Sequence, residues 1–316
     1  MKNRFLTAVI LGACLINLTP SKSMGQGELK GQISISGAFA LYPMAVKWAN
    51  EFKKVHPKVS IDISAGGAGK GMADALNGMT DIGMVSREVY PAEYKKGAHP
   101  ISVVKDAVVP VVSASNPALK EILARGLKRD AAYNIWISGR YKSWSQAFGV
   151  KQNVPIHVYT RSDASGAAEV WAKYFGKKQE DLNGVGVYGD PGLTQAVKRD
   201  PAGIGFNNIG YAYDAKTRKP IPGIYVIPLD LNNNNKIDPN ENFYGNLDQL
   251  TEAISSGRFP SPPARELYFV TKGKPQKKIV KDFIYWVLTE GQKYVDQAGY
   301  IAIPKSKIST EIKRVN

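Results

Sequence analysis

Cysteine is almost absent from this chain: Cys14 is the only one in 316 residues. A lone thiol excludes a disulfide-stapled scaffold and any zinc centre built on thiolates. Histidine is nearly as scarce, and His56, His99 and His157 lie far apart, leaving little for a His-rich metal centre. Long apolar runs are missing too. The most apolar stretch, Phe5 to Leu18, is interrupted by Thr7 and Asn17 and falls short of the ~20 residues a spanning helix needs. Acidic residues are in deficit, with 27 Asp+Glu against 42 Lys+Arg and a formal charge of +15. Such an excess asks for a negative partner: nucleic acid, an anionic surface or a small oxyanion.

Hydrophobic residues make up 43% of the chain, enough for real cores, and the length suits two medium domains. Lys2 and Arg4, the Phe5–Leu18 run, and then Ser21, Ser23 and Gly25 follow the order of a secretory leader, with cleavage expected after Gly25. Leu11-Gly12-Ala13-Cys14 resembles a lipobox and keeps a lipoprotein with lipid on Cys14 open as a second route. Either route gives an extracytoplasmic protein that touches a membrane only through that lipid or a membrane partner.

Beyond the leader, Gln32 to Gly37 alternates polar and apolar residues as a strand entering a glycine turn does. Met44, Val46, Trp48, Phe52 and Val55 predict an amphipathic helix over 43–55. Val59 to Ile63 predicts a strand that exits through Gly66, Gly67, Gly69 and Gly71. Helical composition resumes at Met72, and Asp81 to Val85 predicts a third strand. Strand–helix–strand–glycine loop–helix–strand is the order of an α/β unit with a parallel sheet. Val108 to Val112 reads as a strand carrying the chain between domains, Ile156 to Thr160 as a strand of the second, and Lys278 to Gln297 as a late helix. The tryptophans Trp136, Trp144, Trp171 and Trp286 read as core.

Three strand-to-helix turns, near Gly37, Gly69 and Ser165, predict amide N–H groups at helix N-termini, where free donors and the helix dipole attract oxyanions. Arg161 precedes the third turn and offers a planar fork for paired hydrogen bonds to such an anion.

The order of landmarks resembles the PstS-type phosphate-binding proteins of phosphate ABC transporters, within the type II periplasmic-binding-protein superfamily. The landmarks are Gly37 to Tyr42-Pro43, the Gly66–Gly71 loop, Asp81 to Arg87, Trp136 to Arg140, Arg161 to Gly166, Ala202 to Phe206, Ala264 to Tyr268 and Ala298 to Ile301. The resemblance implies a two-lobed α/β fold with a ligand cleft between the lobes: residues 26–110 and 261–316 in one, 111–260 in the other, after a leader over 1–25. It implies no enzymatic activity, and a small oxyanion, phosphate favoured, delivered to an ABC permease. The shell carried over comprises Ala38, Phe39, Ala40, Gly69, Ser86, Arg87, Arg161, Asp163, Ser165 and Gly166. Several hydroxyls of the family pattern are replaced: Ala38-Phe39-Ala40 stands in the first turn, Ala68 in the glycine loop and Ala167 after Ser165-Gly166. Asp163 bears on selectivity, since a carboxylate accepts the proton of hydrogen phosphate and repels proton-free sulfate.

Asp230 to Glu241 matches a twelve-position EF-hand loop, with oxygen donors at positions 1, 3, 5, 9 and 12 and a backbone carbonyl at 7. These are Asp230, Asn232, Asn234, Asp238 and Glu241, with the carbonyl of Lys236. Asn235 stands where Gly usually makes the turn, and Ile237 is the expected anchor. Structural calcium is therefore expected in the second lobe, with no incoming helix. Competing readings are a secreted phosphate-ester hydrolase and a non-transport sensor or adhesion protein. Against the hydrolase, the chain has no GxSxG elbow and Ser165 has no sequence-evident base. Dispersed lysines and the leader argue against a nucleic-acid binder.

Overall fold

The structure, a computed structural model, describes residues 28–151 and 153–316. The leader, its cleavage after Gly25 and the lipid on Cys14 lie outside the described residues. Among those described, the strands are β1 Gly31–Gly37, β2 Val59–Ala65, β3 Ile82–Val85, β4 Ala98–Ser113, β5 Leu127–Lys128, β6 His157–Arg161, β7 Val185–Val187, β8 Gly203–Asn208, β9 Ile224–Val226, β10 Leu229–Asp230 and β11 Ala264–Lys272. One sheet runs β2-β1-β3-β11-β4-β8-β6-β7, with β9 also on β4.

The pairing explains the two lobes. β1 pairs in parallel with β2 and β3, and β6 in parallel with β7 and β8. Parallel neighbours need crossover connections, which helices such as Tyr42–Val55 and Gly166–Tyr174 supply. β4 and β11 run antiparallel to each other and join the halves. The sheet is therefore mixed where the sequence predicts a parallel one. At sixteen residues, β4 also extends well before the Val108–Val112 run.

Two hydrophobic cores follow this division. Ile33, Trp48, Phe52, Val104, Leu267 and Phe283 belong to one, and Ala107, Trp136, Trp144, Trp171, Phe206 and Phe259 to the other. The cores change over between Val104 and Ala107 and again between Ala264 and Leu267. Trp136, Trp144 and Trp171 are fully buried as expected, in edge and stacked contacts with Phe206, Phe148 and Phe175. The late helix is shorter than the sequence predicts. It spans Lys278–Leu288, after which Thr289 leaves helical backbone and a 3-10 turn covers Glu290–Tyr294. Gly291 lies there against Trp48, whose indole N–H donates to its carbonyl.

Candidate anion site between the lobes

The first turn follows β1 at Gly37, whose φ is +132°. A Cβ there would lie 2.3 Å from the Met84 carbonyl oxygen and 2.7 Å from the Gly71 Cα, so only glycine lets strand and helix approach this closely. Ala38 N–H donates to the Met84 carbonyl at 2.9 Å. Tyr211 Oη donates to the Phe39 carbonyl at 3.2 Å and Tyr300 Oη to the Ala40 carbonyl at 2.7 Å. Ala38, Phe39 and Ala40 are thus pinned from both lobes.

β6 ends at Arg161, and the helix Gly166–Tyr174 begins after Ser165, whose hydroxyl accepts from Ala167 and Ala168 N–H. The intervening turn is braced by Gln179: its Nε2 donates to the Asp163 carbonyl at 2.6 Å, and its Oε1 accepts from Ser165 N–H at 2.9 Å. Arg161 pairs with Asp163 through two bonds, Nε–Oδ1 at 2.9 Å and Nη2–Oδ2 at 2.7 Å, and with Asp190 through Nη1–Oδ2 at 2.7 Å. Its side chain is only 1% exposed. Burial works against the Arg161 charge, but Asp190 and Asp163 outweigh it and hold the guanidinium above its ordinary range. The Phe39 ring lies over this guanidinium, 5.4 Å away, and meets Tyr188 edge-on.

The lobes touch around this cluster. Gly69 N–H donates to the Ala164 carbonyl at 3.0 Å, and the Gly67 Cα faces an Asp163 oxygen. Gly166 rests against Ser86, whose hydroxyl and carbonyl oxygens are 2.2 and 2.5 Å from where a Cβ would sit. Phe39, Gly69, Ser86, Arg161, Asp163, Ser165 and Gly166 therefore converge.

Two expectations are corrected. Arg87 is committed elsewhere: it forms paired bonds with Glu93 at 2.9 and 2.7 Å and stacks over Tyr90. It lines a crevice of about 590 Å³, shared with Glu169, Arg265 and Tyr268. The turn amides are also less free than the sequence suggests. Gly69 N–H is taken by Ala164 across the closed lobes, and Ser165 caps its own helix with its hydroxyl.

Sequence reasoning missed a second tier of charge. Asp190 Oδ1 accepts from Asn208 Nδ2, Asn208 Oδ1 accepts from Arg265 Nη2, and Arg265 Nη2 lies 3.3 Å from Asp106 Oδ2. Asp106 and Arg265 are cross-strand partners of β4 and β11. The signal was the charged pair Lys105-Asp106 interrupting an otherwise apolar run from Val103 to Val112, with Asp106 as its fully buried member. Asp106, Asp163 and Asp190 outnumber Arg161 and Arg265 by one. Burial, with Asp190 nearby and only partly offset by Arg265, pushes the Asp106 carboxyl up to about 6. An acid raised this way adds stability while protonated, and that contribution fades as pH climbs from about 4 through 6. Asp106→Asn, always uncharged, should remove this part of the pH dependence. The check compares the difference in melting temperature between pH 5 and pH 8 for variant and parent.

In the 230–241 loop, Asp230 accepts from Asn234 N–H at 3.2 Å and Asn235 N–H at 2.8 Å. Glu241 accepts from the N–H groups of Leu231, Asn232 and Asp238. Asn235 is left-handed, φ 65°, as position 6 requires. Asp230 and Glu241 are each 2% exposed. Ile237 is half-buried, and its N–H donates to the Ala124 carbonyl at 3.0 Å. Asp238, by contrast, pairs with Lys236 Nζ at 2.9 Å and accepts from the amides of Asn232 and Asn234. Among the described residues no group of three or more His, Cys, Asp or Glu side chains is gathered for a metal. An ion here would need Asp238 released from Lys236, and would draw on Asn232, Asn234 and the Lys236 carbonyl.

Two α/β lobes joined by two crossing strands, with a buried guanidinium and a capped helix N-terminus where they meet, define a hinged ligand receptor. The profile of the PBP superfamily domain matches residues 23–290, and the chain belongs to that superfamily. It is 27% identical to the phosphate-binding protein PstS of Methanocaldococcus jannaschii, covering 98% of this chain and 95% of that one. It is 24% identical to the PstS of Bacillus subtilis, covering 91% and 86%. Among solved structures it resembles a putative phosphate ABC transporter substrate-binding protein with bound phosphate from Clostridium perfringens. There the TM-score is 0.71 and the identity 22%, covering 87% of this chain and 100% of that one. The expected fold and family are borne out.

Proposed function

We propose that this protein is an extracytoplasmic receptor that captures a small tetrahedral oxyanion, phosphate first, and passes it to an ABC transporter permease. The observation that carries the reading is Arg161: fully buried, held in a fixed plane by Asp163 and Asp190, and set beside the Gly166–Tyr174 helix N-terminus where both lobes meet. A guanidinium oriented in advance binds an anion without having to order a flexible side chain. Relatives named as phosphate-binding proteins support the same ligand. Asp163 supplies discrimination, accepting the proton of hydrogen phosphate and repelling sulfate. Binding and release by lobe movement need no bond chemistry, so the reading is of a carrier rather than an enzyme. Ligand binding raises the melting temperature with the logarithm of ligand concentration over Kd. A thermal-shift panel of phosphate, arsenate, sulfate and molybdate tests the proposal, with phosphate expected to give the largest rise. No rise with any oxyanion would reject it.

We also propose that the Asp230–Glu241 loop binds calcium and braces the second lobe. Two buried carboxylates and the left-handed Asn235 support it. Calorimetric titration with calcium should give a one-site heat in the parent protein and none in Asp230→Ala/Glu241→Ala. Equal heats in both would reject the site.

A further inference from the structure

Arg265 lies outside the first-turn, glycine-loop and third-turn residues, yet it is tied to the proposed anion site more directly than several of them. It stands at the start of β11, opposite Asp106 on β4, where the two strands cross between the lobes. Its side chain is 6% exposed. Nη1 donates to the Gly166 carbonyl at 2.6 Å, fixing the first peptide of the helix beside Arg161. Nη2 donates to Asn208 Oδ1. From there the bonds continue without a break: Asn208 Nδ2 donates to Asp190, and Asp190 accepts from Arg161. One guanidinium on a crossing strand thereby holds both the helix N-terminus and, through Asn208 and Asp190, the plane of the second guanidinium.

We infer that Arg265 is a positioning residue that couples the crossing strands to the anion site, setting the closed geometry of Arg161 and Gly166 together. The inference rests on the oxyanion-receptor reading. A bend at the strand crossing moves Arg265 and, through two rigid contacts, misaligns the donors that hold the ligand. Lobe opening and loss of affinity then become one event. Lysine at this position would keep the charge but lack the planar fork that serves Gly166 and Asn208 at once.

The test measures phosphate Kd by calorimetry and phosphate-induced compaction by small-angle scattering. It uses the parent, Arg265→Gln, Arg265→Lys, Asn208→Ala and, as a control on the neighbouring strand position, Glu266→Gln. Arg265→Gln should weaken phosphate binding about tenfold or more, the loss of one charge-assisted hydrogen bond, and should compact less on adding phosphate. Arg265→Lys should recover part of both, and Asn208→Ala should fall between Arg265→Gln and the parent. Glu266→Gln should bind like the parent. A merely structural role would lower the melting temperature and leave Kd and compaction unchanged. If Arg265→Gln does not fold, Asn208→Ala carries the same criterion. Binding within twofold of the parent in the folded variants would overturn the inference alone. A parent that binds no oxyanion would overturn the receptor reading and the inference with it.

Discussion

Arg161→Ala should lose the phosphate response and about 3–5 kcal/mol of stability together. The two losses have one cause. Asp163 and Asp190 are buried against this guanidinium at 2.7 Å, and removing it leaves both carboxylates without their cation. The apo protein should therefore melt on the order of 10 °C lower. Arg161→Lys separates the effects. It restores a positive charge and much of the stability, but a single ammonium cannot hold Asp163 with two parallel bonds and face an anion too. Its phosphate affinity should stay well below that of the parent while its melting temperature recovers. An Arg161→Ala protein that melts like the parent, or still responds to phosphate, would place the site elsewhere.

Gly166→Ala should act in the opposite way, abolishing tight binding with little change in the stability of the unliganded protein. Gly166 begins its helix with ordinary backbone geometry, so alanine fits its own lobe. The added methyl would instead meet Ser86 Oγ at 2.2 Å and the Ser86 carbonyl at 2.5 Å, on the opposite lobe. Opening the hinge relieves that clash at once, so the closed form alone is penalised. Overpacking on this scale costs about 1–3 kcal/mol, equivalent to a rise in phosphate Kd of about 5- to 140-fold. Titration calorimetry and a melting curve on the same sample check both halves. Unchanged affinity would mean that the contact between Gly166 and Ser86 is no part of the liganded state.

How much of this was legible in the sequence depended on how local the causes were. The α/β order could be read because strand alternation, helix periodicity and glycine exits are written in neighbouring residues. The third turn was legible for the same reason: Arg161, Asp163, Ser165 and Gly166 lie within six positions, and strand end plus helix start fix their geometry. Arg87 misled because its local context, a strand followed by Ser-Arg, matches a site residue equally well. Its fate was decided by Glu93, six residues further on in the short helix Pro91–Lys95, and by Tyr90 beneath it. Asn208, Asp106 and Arg265 escaped because they meet only through the pairings of β4 with β8 and β11, and Asp190 because it reaches them from the start of the helix Gly189–Arg199. Arg265 even stood inside a landmark, Ala264 to Tyr268, without a role. Asp106 gave a hint, since a carboxylate beside Lys105 within a largely apolar strand must find a partner when buried. The partner itself was not written nearby.

On the proposed function, a small anion sits at the junction of the two lobes, in contact with Arg161. Titration calorimetry of dialysed protein with inorganic phosphate at neutral pH tests this most directly, with sulfate as comparison. One phosphate per chain, bound far more tightly than sulfate and accompanied by compaction in solution, is the predicted result. Equal affinity for the two anions, or binding without compaction, would contradict it.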